Sequence, residues 1–215
     1  MTGTTVELTA LEASDSLLED VRSLLEHHPA SKLTGPGRPE AVPGVDPLLR
    51  ACVALCYTAW EVYVEEALRE TVEDLLNRHE AQTLPQALRD WVAGNAKTDP
   101  WAFAGDGWVD EVRNQLARRL DGNGGKYGFN TASTDGVITL YKQVLGYEPL
   151  TKVSWQGYSN SKVMRDIGTL VEVRGEIVHK GSTPGALNIN GVRTWVAFVE
   201  RLCRKFDSLL VKFRD

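Results

Sequence analysis

Residues 51–64, ACVALCYTAWEVYV, are apolar on nearly every side of a helix, and a helix without a polar face belongs in the middle of a bundle. Asp46 and Pro47 precede the run as N-cap and first-turn proline, and the helical pattern continues to about Arg78. The spacing therefore predicts one long central helix on which the remaining helices must pack. Glu61 is the single charge in this run. Cys52 and Cys56 sit four residues apart within it; no Cys or His stands nearby at ligand spacing, so they read as small core residues and not as a metal pair.

Around that helix the punctuation is clear. Thr4 and Glu7 have capping-box spacing before a helix predicted to run to about His27, with Leu8, Leu11, Leu18, Val21 and Leu25 on its apolar side. Four prolines and three glycines in HHPASKLTGPGRPEAVPG break it and predict a loop over 29–45. His27 and His28 read as residues favoured by the negative end of the first helix. From Thr83 to about Asn160, short helical pieces (PQALRDWVAG, DEVRNQLARRL, TDGVITLYKQVLG) alternate with glycine-rich and aromatic-rich turns. This stretch, 83–160, is predicted to be an insertion packed on the main bundle. Within it DGNGGKYGFN has the glycines of a phosphate loop, but Tyr127 follows Lys126 where Ser or Thr would hold magnesium, and no strand pattern precedes it. A turn is the better reading. Two more helices are expected, from about Ser161 to Lys180 with Gly181 ending it, and from about Gly191 to Phe213. No internal repeat and no sustained β alternation is present, so the class is all-α, one domain over 1–215.

Charge narrows the function classes. The net charge is -5, which excludes an all-over nucleic-acid coat. Yet residues 151–215 hold 11 Lys or Arg against 6 Asp or Glu, which leaves two equal readings: a local basic surface on this third of the chain, or an ordinary solvated helix face for Arg201, Arg204, Lys205, Lys212 and Arg214. Three cysteines without framework spacing make poor disulfide material. No apolar run approaches the roughly 20 residues of a membrane span, and MTGTTVELTALEASD is not a signal peptide. A cytoplasmic protein with no membrane contact is expected.

The segment LVEVRGEIVHKG poses the chemical question. At 100 degrees per residue, Ile167, Leu170, Val171, Ile177 and Val178 fall within an arc of about 120 degrees, and Arg174 points into its middle. An unpaired cation in an apolar setting costs several kcal/mol, so a carboxylate is expected to meet it, with Glu61 the natural candidate. His179 lies about 140 degrees around the helix from Arg174, on the side of Arg165, Glu172 and Glu176. Two groups that diverge on one chain can still meet if a symmetry mate supplies the missing half.

Arg174 and His179, with four residues between them, closely resemble the R-x(4 to 6)-H signature of HEPN domains. AWEVYVEEAL in the central helix, FNTASTDGVITLYKQVLG in the insertion and the Trp155-bearing approach to the motif helix resemble the RiboL-PSP type of that superfamily, over roughly residues 45–213. After the motif Arg the family often has Asn, Asp or His; here Gly175 stands there. The resemblance implies an antiparallel α-helical bundle that forms a homodimer across the motif helices. It implies a metal-independent endoribonuclease without cofactor, often part of a toxin–antitoxin or phage-defence system with an antitoxin or other partner protein. The roles implied are His179 as general acid or base, Arg174 as phosphate-stabilising cation, Glu61 orienting Arg174 and Glu176 tuning His179. The competing expectation is a non-catalytic HEPN-like dimeric module that binds RNA or a partner protein through the same cleft.

Overall fold

The computed structural model of the chain describes residues 8–32, 46–95, 105–122, 128–181 and 187–215. Among these residues the regular structure is helical: α1 (Ala10–Glu26), α2 (Asp46–Arg78), α3 (Gln86–Asn95), α4 (Gly107–Leu120), α5 (Thr134–Leu145), α6 (Asn160–Lys180) and α7 (Ile189–Arg214), with 3-10 turns at Pro29–Lys32 and Pro149–Lys152. No described residue lies in a strand, and a lone bridge pairs Trp155 with Tyr158. The all-α class predicted from periodicity is the observed one. None of the described helices is long and apolar enough to cross a membrane.

The start of α1 differs in detail from the sequence reading. A capping box is present, but Thr9 and Glu12 make it: the Thr9 amide donates to the Glu12 carboxylate at 2.8 Å, and the Glu12 amide to Thr9 Oγ1 at 3.2 Å. The Thr4–Glu7 pair lies outside the described residues, and Leu8, expected on the apolar side, is 56% exposed. At the other end His27 is the C-cap. His28 is buried, and its Nδ1 accepts the Ala30 amide at 3.0 Å.

Helix α2 is the axle its composition demands. Its buried residues run from Leu49 to Leu76, and α1, α4, α6 and α7 all pack on it. The Ala10 amide donates to the Glu70 carboxylate, so α1 begins beside the far end of α2 and runs antiparallel to it. At the centre Phe206 of α7 meets the rings of Trp60, Tyr63 and Tyr141 at 5.0–5.9 Å between centroids, all edge-on. Aromatic pairs in this arrangement add specificity to the area they bury. Two of the polar atoms are matched: Trp60 Nε1 donates to the Ala132 carbonyl and Tyr141 Oη to that of Val64, both at 2.8 Å. Helix α5, within the predicted insertion, thus contributes Tyr141 to the same interior as α2 and α7.

The approach to α6 is stiffened by its aromatic residues. Trp155 and Tyr158 stack at 4.5 Å, Asn160 Nδ2 donates to the carbonyls of Leu150 and Val153, and Ser159 caps the helix by accepting the Lys162 amide. Tyr158 Oη also donates to Asp166, nearly two turns into the helix. These contacts fix the direction in which α6 leaves the turn, and with it the position of everything the helix carries.

Candidate active site

The apolar pattern of α6 continues through its whole length, but its burial does not. Val163, Ile167 and Leu170 are buried; from Val171 to Lys180 no side chain is. Val173 and Ile177 are half-buried and Val178 is 52% exposed. The second half of α6 therefore lies against α2 along one edge and shows apolar side chains to the outside.

Arg174 sits in this half-exposed stretch. Its guanidinium carbon lies 5.1 Å from the centroid of the Tyr57 ring on α2, a cation–π contact. Among the described residues no carboxylate comes within 4 Å of Arg174; the pairing with Glu61 expected from the sequence is absent. The expectation assumed full burial. Arg174 is only partly buried, so its guanidinium keeps part of its hydration and rests on an aromatic face, which lessens the penalty that demanded an acid. Glu61 is reached instead through an intermediary: Tyr57 Oη donates to Glu61 Oε1 at 3.0 Å.

Tyr57 is the residue that sequence reasoning missed. It is 2% exposed, and its hydroxyl also accepts the Ala132 amide at 2.9 Å, which ties the segment before α5 to the site. Burial first, and then the Glu61 carboxylate, push its phenol well above the ordinary value, so the hydroxyl stays a donor. The available signal was the four-residue spacing of Tyr57 and Glu61 on one helix. Glu65 continues the same edge of α2. Burial, with Glu61 second, pushes its carboxyl up to about 7, so it exchanges its proton near neutrality.

His179 is exposed in the last turn of α6, two residues before Gly181, whose φ of 63° ends the helix in the left-handed region. Glu176, one turn earlier, is half-buried and lies 4.0 Å from Lys180 Nζ. Arg174 and His179 diverge around the helix as their spacing requires. Arg174, Tyr57 and Glu61 thus form one contact chain, and His179 with Glu176 sits beyond it toward the helix end.

Among the described residues no three His, Cys, Asp or Glu side chains are grouped to hold a metal ion. Cys52 and Cys56 are buried, and burial pushes their thiols up to about 11 and about 12. Both therefore remain protonated core residues. The basic excess of residues 151–215 is partly neutralised: Arg204 pairs with Asp15 and Glu200, while Arg201 and Lys162 lie over the rings of Trp155 and Tyr158.

The arrangement offers an exposed imidazole and a forked cation that no described carboxylate neutralises, both on one exposed half-helix. That combination suits an anionic ligand that gains or loses a proton. The family model RiboL-PSP-HEPN matches residues 15–212. No curated protein and no solved structure matches the chain.

Proposed function

The chain belongs to the RiboL-PSP-HEPN family, and on that premise we propose that it is a metal-independent endoribonuclease acting as a homodimer. The observation that carries the reading is the second half of α6, where Arg174 and His179 stand among apolar side chains that the described subunit covers only in part, with Val178 exposed. A second copy packed on that half-helix would bury Ile177 and Val178 and bring the two Arg174 and two His179 residues into one cleft.

In this cleft RNA is cut by its own 2′-hydroxyl. His179 takes the 2′-hydroxyl proton as the oxygen attacks phosphorus, or returns a proton to the departing 5′-oxygen. Arg174 stabilises the charge that accumulates on the phosphoryl oxygens, a task suited to its planar fork. Glu61 orients Arg174 through Tyr57 and not by direct pairing. Glu176 tunes His179 from one turn away. In the cell such a cytoplasmic nuclease would work within a toxin–antitoxin or phage-defence system, restrained by a partner protein.

The test is RNA cleavage in EDTA by wild type and by His179→Ala. Loss of cleavage in the variant with full wild-type activity in EDTA supports the reading. Equal activity in both removes His179 from catalysis, and a metal requirement sinks the mechanism. A non-catalytic module that binds RNA or a partner protein is the second reading. Gly175 favours it, because the position after the motif Arg carries no polar side chain. That reading expects binding without cleavage in every preparation.

A further inference from the structure

Among the described residues, Tyr57 and Arg50 of α2 each reach the motif helix, and of these Tyr57 belongs to the site described above. Tyr57 supports Arg174. Arg50, two turns earlier on α2, is half-buried, and its Nη1 donates to the carbonyl of Gly181, the residue that ends α6. Seven residues separate the two α2 positions, and seven separate the two α6 positions. Seven residues are close to two helical turns, so both contacts fall on one face of each helix in a single antiparallel register. His179 lies between them in the chain, on the stretch of α6 that they bracket.

Among the described residues no carboxylate lies within 4 Å of the Arg50 guanidinium. The carbonyl of Gly181 occupies one of its five N–H donors and fixes its place without cancelling its charge. Along the α6 axis, Gly181 is about 10 Å beyond Arg174, which is within reach of one short stretch of RNA strand. A single cation can bind a phosphate but leaves the strand free to slide and turn. Two cations held in a fixed register define its position, which is what phosphate contacts contribute to nucleic-acid recognition.

We infer that Arg50 is a second phosphate-binding residue, which holds a backbone phosphate neighbouring the scissile one and so sets where the strand lies against Arg174 and His179. This rests on the endoribonuclease reading. The purely structural alternative is that Arg50 only secures the C-terminal end of α6, where a cation is favoured by the helix dipole.

The experiment uses the full chain and a fluorescently labelled single-stranded RNA. Initial rates are measured over a range of salt concentrations for wild type, Arg50→Gln and Arg50→Lys, with thermal melts of each protein. Binding of the same RNA is followed in the His179→Ala background. Losing one phosphate contact on a single strand lowers the salt slope of log affinity by about 0.7. The expected result for Arg50→Gln is that fall in slope together with a rise in KM of about tenfold at low salt and little change in kcat, while Arg50→Lys retains the wild-type slope. A variant that cuts less only in proportion to its unfolded fraction, with slope and KM unchanged, overturns the inference and leaves Arg50 as a helix-end support. Wild type that cuts RNA while Arg50→Gln matches it throughout overturns the inference alone. Wild type that neither binds nor cuts RNA overturns the endoribonuclease reading and this inference with it.

Discussion

The Arg174 guanidinium rests on the face of the Tyr57 ring, and the hydroxyl at the edge of that ring bonds both Glu61 and the Ala132 amide. Ring and hydroxyl therefore do separable work. Tyr57→Phe keeps the face under Arg174 but leaves the buried Ala132 amide without its acceptor, which costs about 1–3 kcal/mol of stability. Tyr57→Leu removes the face as well, and the lost cation–π contact of about 1 kcal/mol corresponds to a further fall in cleavage of about fivefold. Thermal melts and RNA cleavage on the same preparations read the two effects apart. Equal cleavage by the two variants would disconnect the ring from Arg174.

The exposed position of His179 gives a clean separation between stability and activity. His179→Ala is expected to stay within about 0.5 kcal/mol of wild type in stability, since exposed substitutions away from buried networks do little. Its cleavage rate is expected to fall by about 10²–10⁴-fold, the contribution of a positioned proton-transfer group. A variant that melts much earlier than wild type would mean that the imidazole holds the end of α6 together.

Much of this was legible in the sequence, for identifiable reasons. The apolar girth of residues 51–64 made α2 the centre, and Gly181 marked the end of α6, because both signals are local. The start of α1 was less legible: T-x-x-E occurs twice in the first twelve residues, and the described helix takes the second copy, where the Ala10 amide also finds Glu70 sixty residues away. Helical period placed Arg174 and Val178 on one apolar arc but gave no depth of burial. Where a helix leaves the core depends on which neighbours cover it, and here full burial ends after Leu170. For the same reason the partner of Arg174 was misjudged. A fully buried cation needs an acid, whereas a half-exposed one accepts a ring, and only the packed structure distinguishes the two.

Glu65 carries a pH signature. Its carboxyl is raised to about 7 in the folded chain by burial and by Glu61, and sits near its ordinary value when unfolded. Between those two values the folded state holds a proton that the unfolded state has released. Stability from this group is therefore full at acid pH and declines as pH rises toward 7. Glu65→Gln removes the decline. It is expected to raise the melting temperature by about 2–4 °C at pH 8, for about 1 kcal/mol after solvent screening, and to leave it unchanged near pH 4.5. An equal gain at both pH values would assign the effect to packing instead of charge.

His28 has the opposite sign. Burial, with Arg193 second, lowers its pKa, and its Nδ1 accepts the Ala30 amide, so the folded chain holds the imidazole neutral. The unfolded chain takes up the proton first as pH falls below about 6.5, and stability is lost progressively from there downward. His28→Asn, with a carbonyl oxygen to accept the same amide, is expected to flatten the change in melting temperature between pH 7 and pH 5. An unchanged pH dependence in that variant would place the titrating group elsewhere.

The partly covered half of α6 predicts both an assembly and a way to test how its sites are built. Val178 is 52% exposed, so a charge there disturbs the subunit little but opposes a second copy. Val178→Glu is expected to sediment as a monomer where wild type is a dimer, with unchanged helical content and with cleavage largely lost. If each site takes Arg174 from one subunit and His179 from the other, Arg174→Ala and His179→Ala proteins are each inactive alone but complement when mixed. Half of the randomly formed dimers then contain both kinds of subunit, and half of the sites in those are intact, so about one quarter of wild-type activity returns under two-fold symmetry. Sites built within one subunit would return none, because every subunit in the mixture lacks one of the two groups. The size of the recovery thus decides whether the five-residue divergence of Arg174 and His179 on one helix is resolved across the dimer.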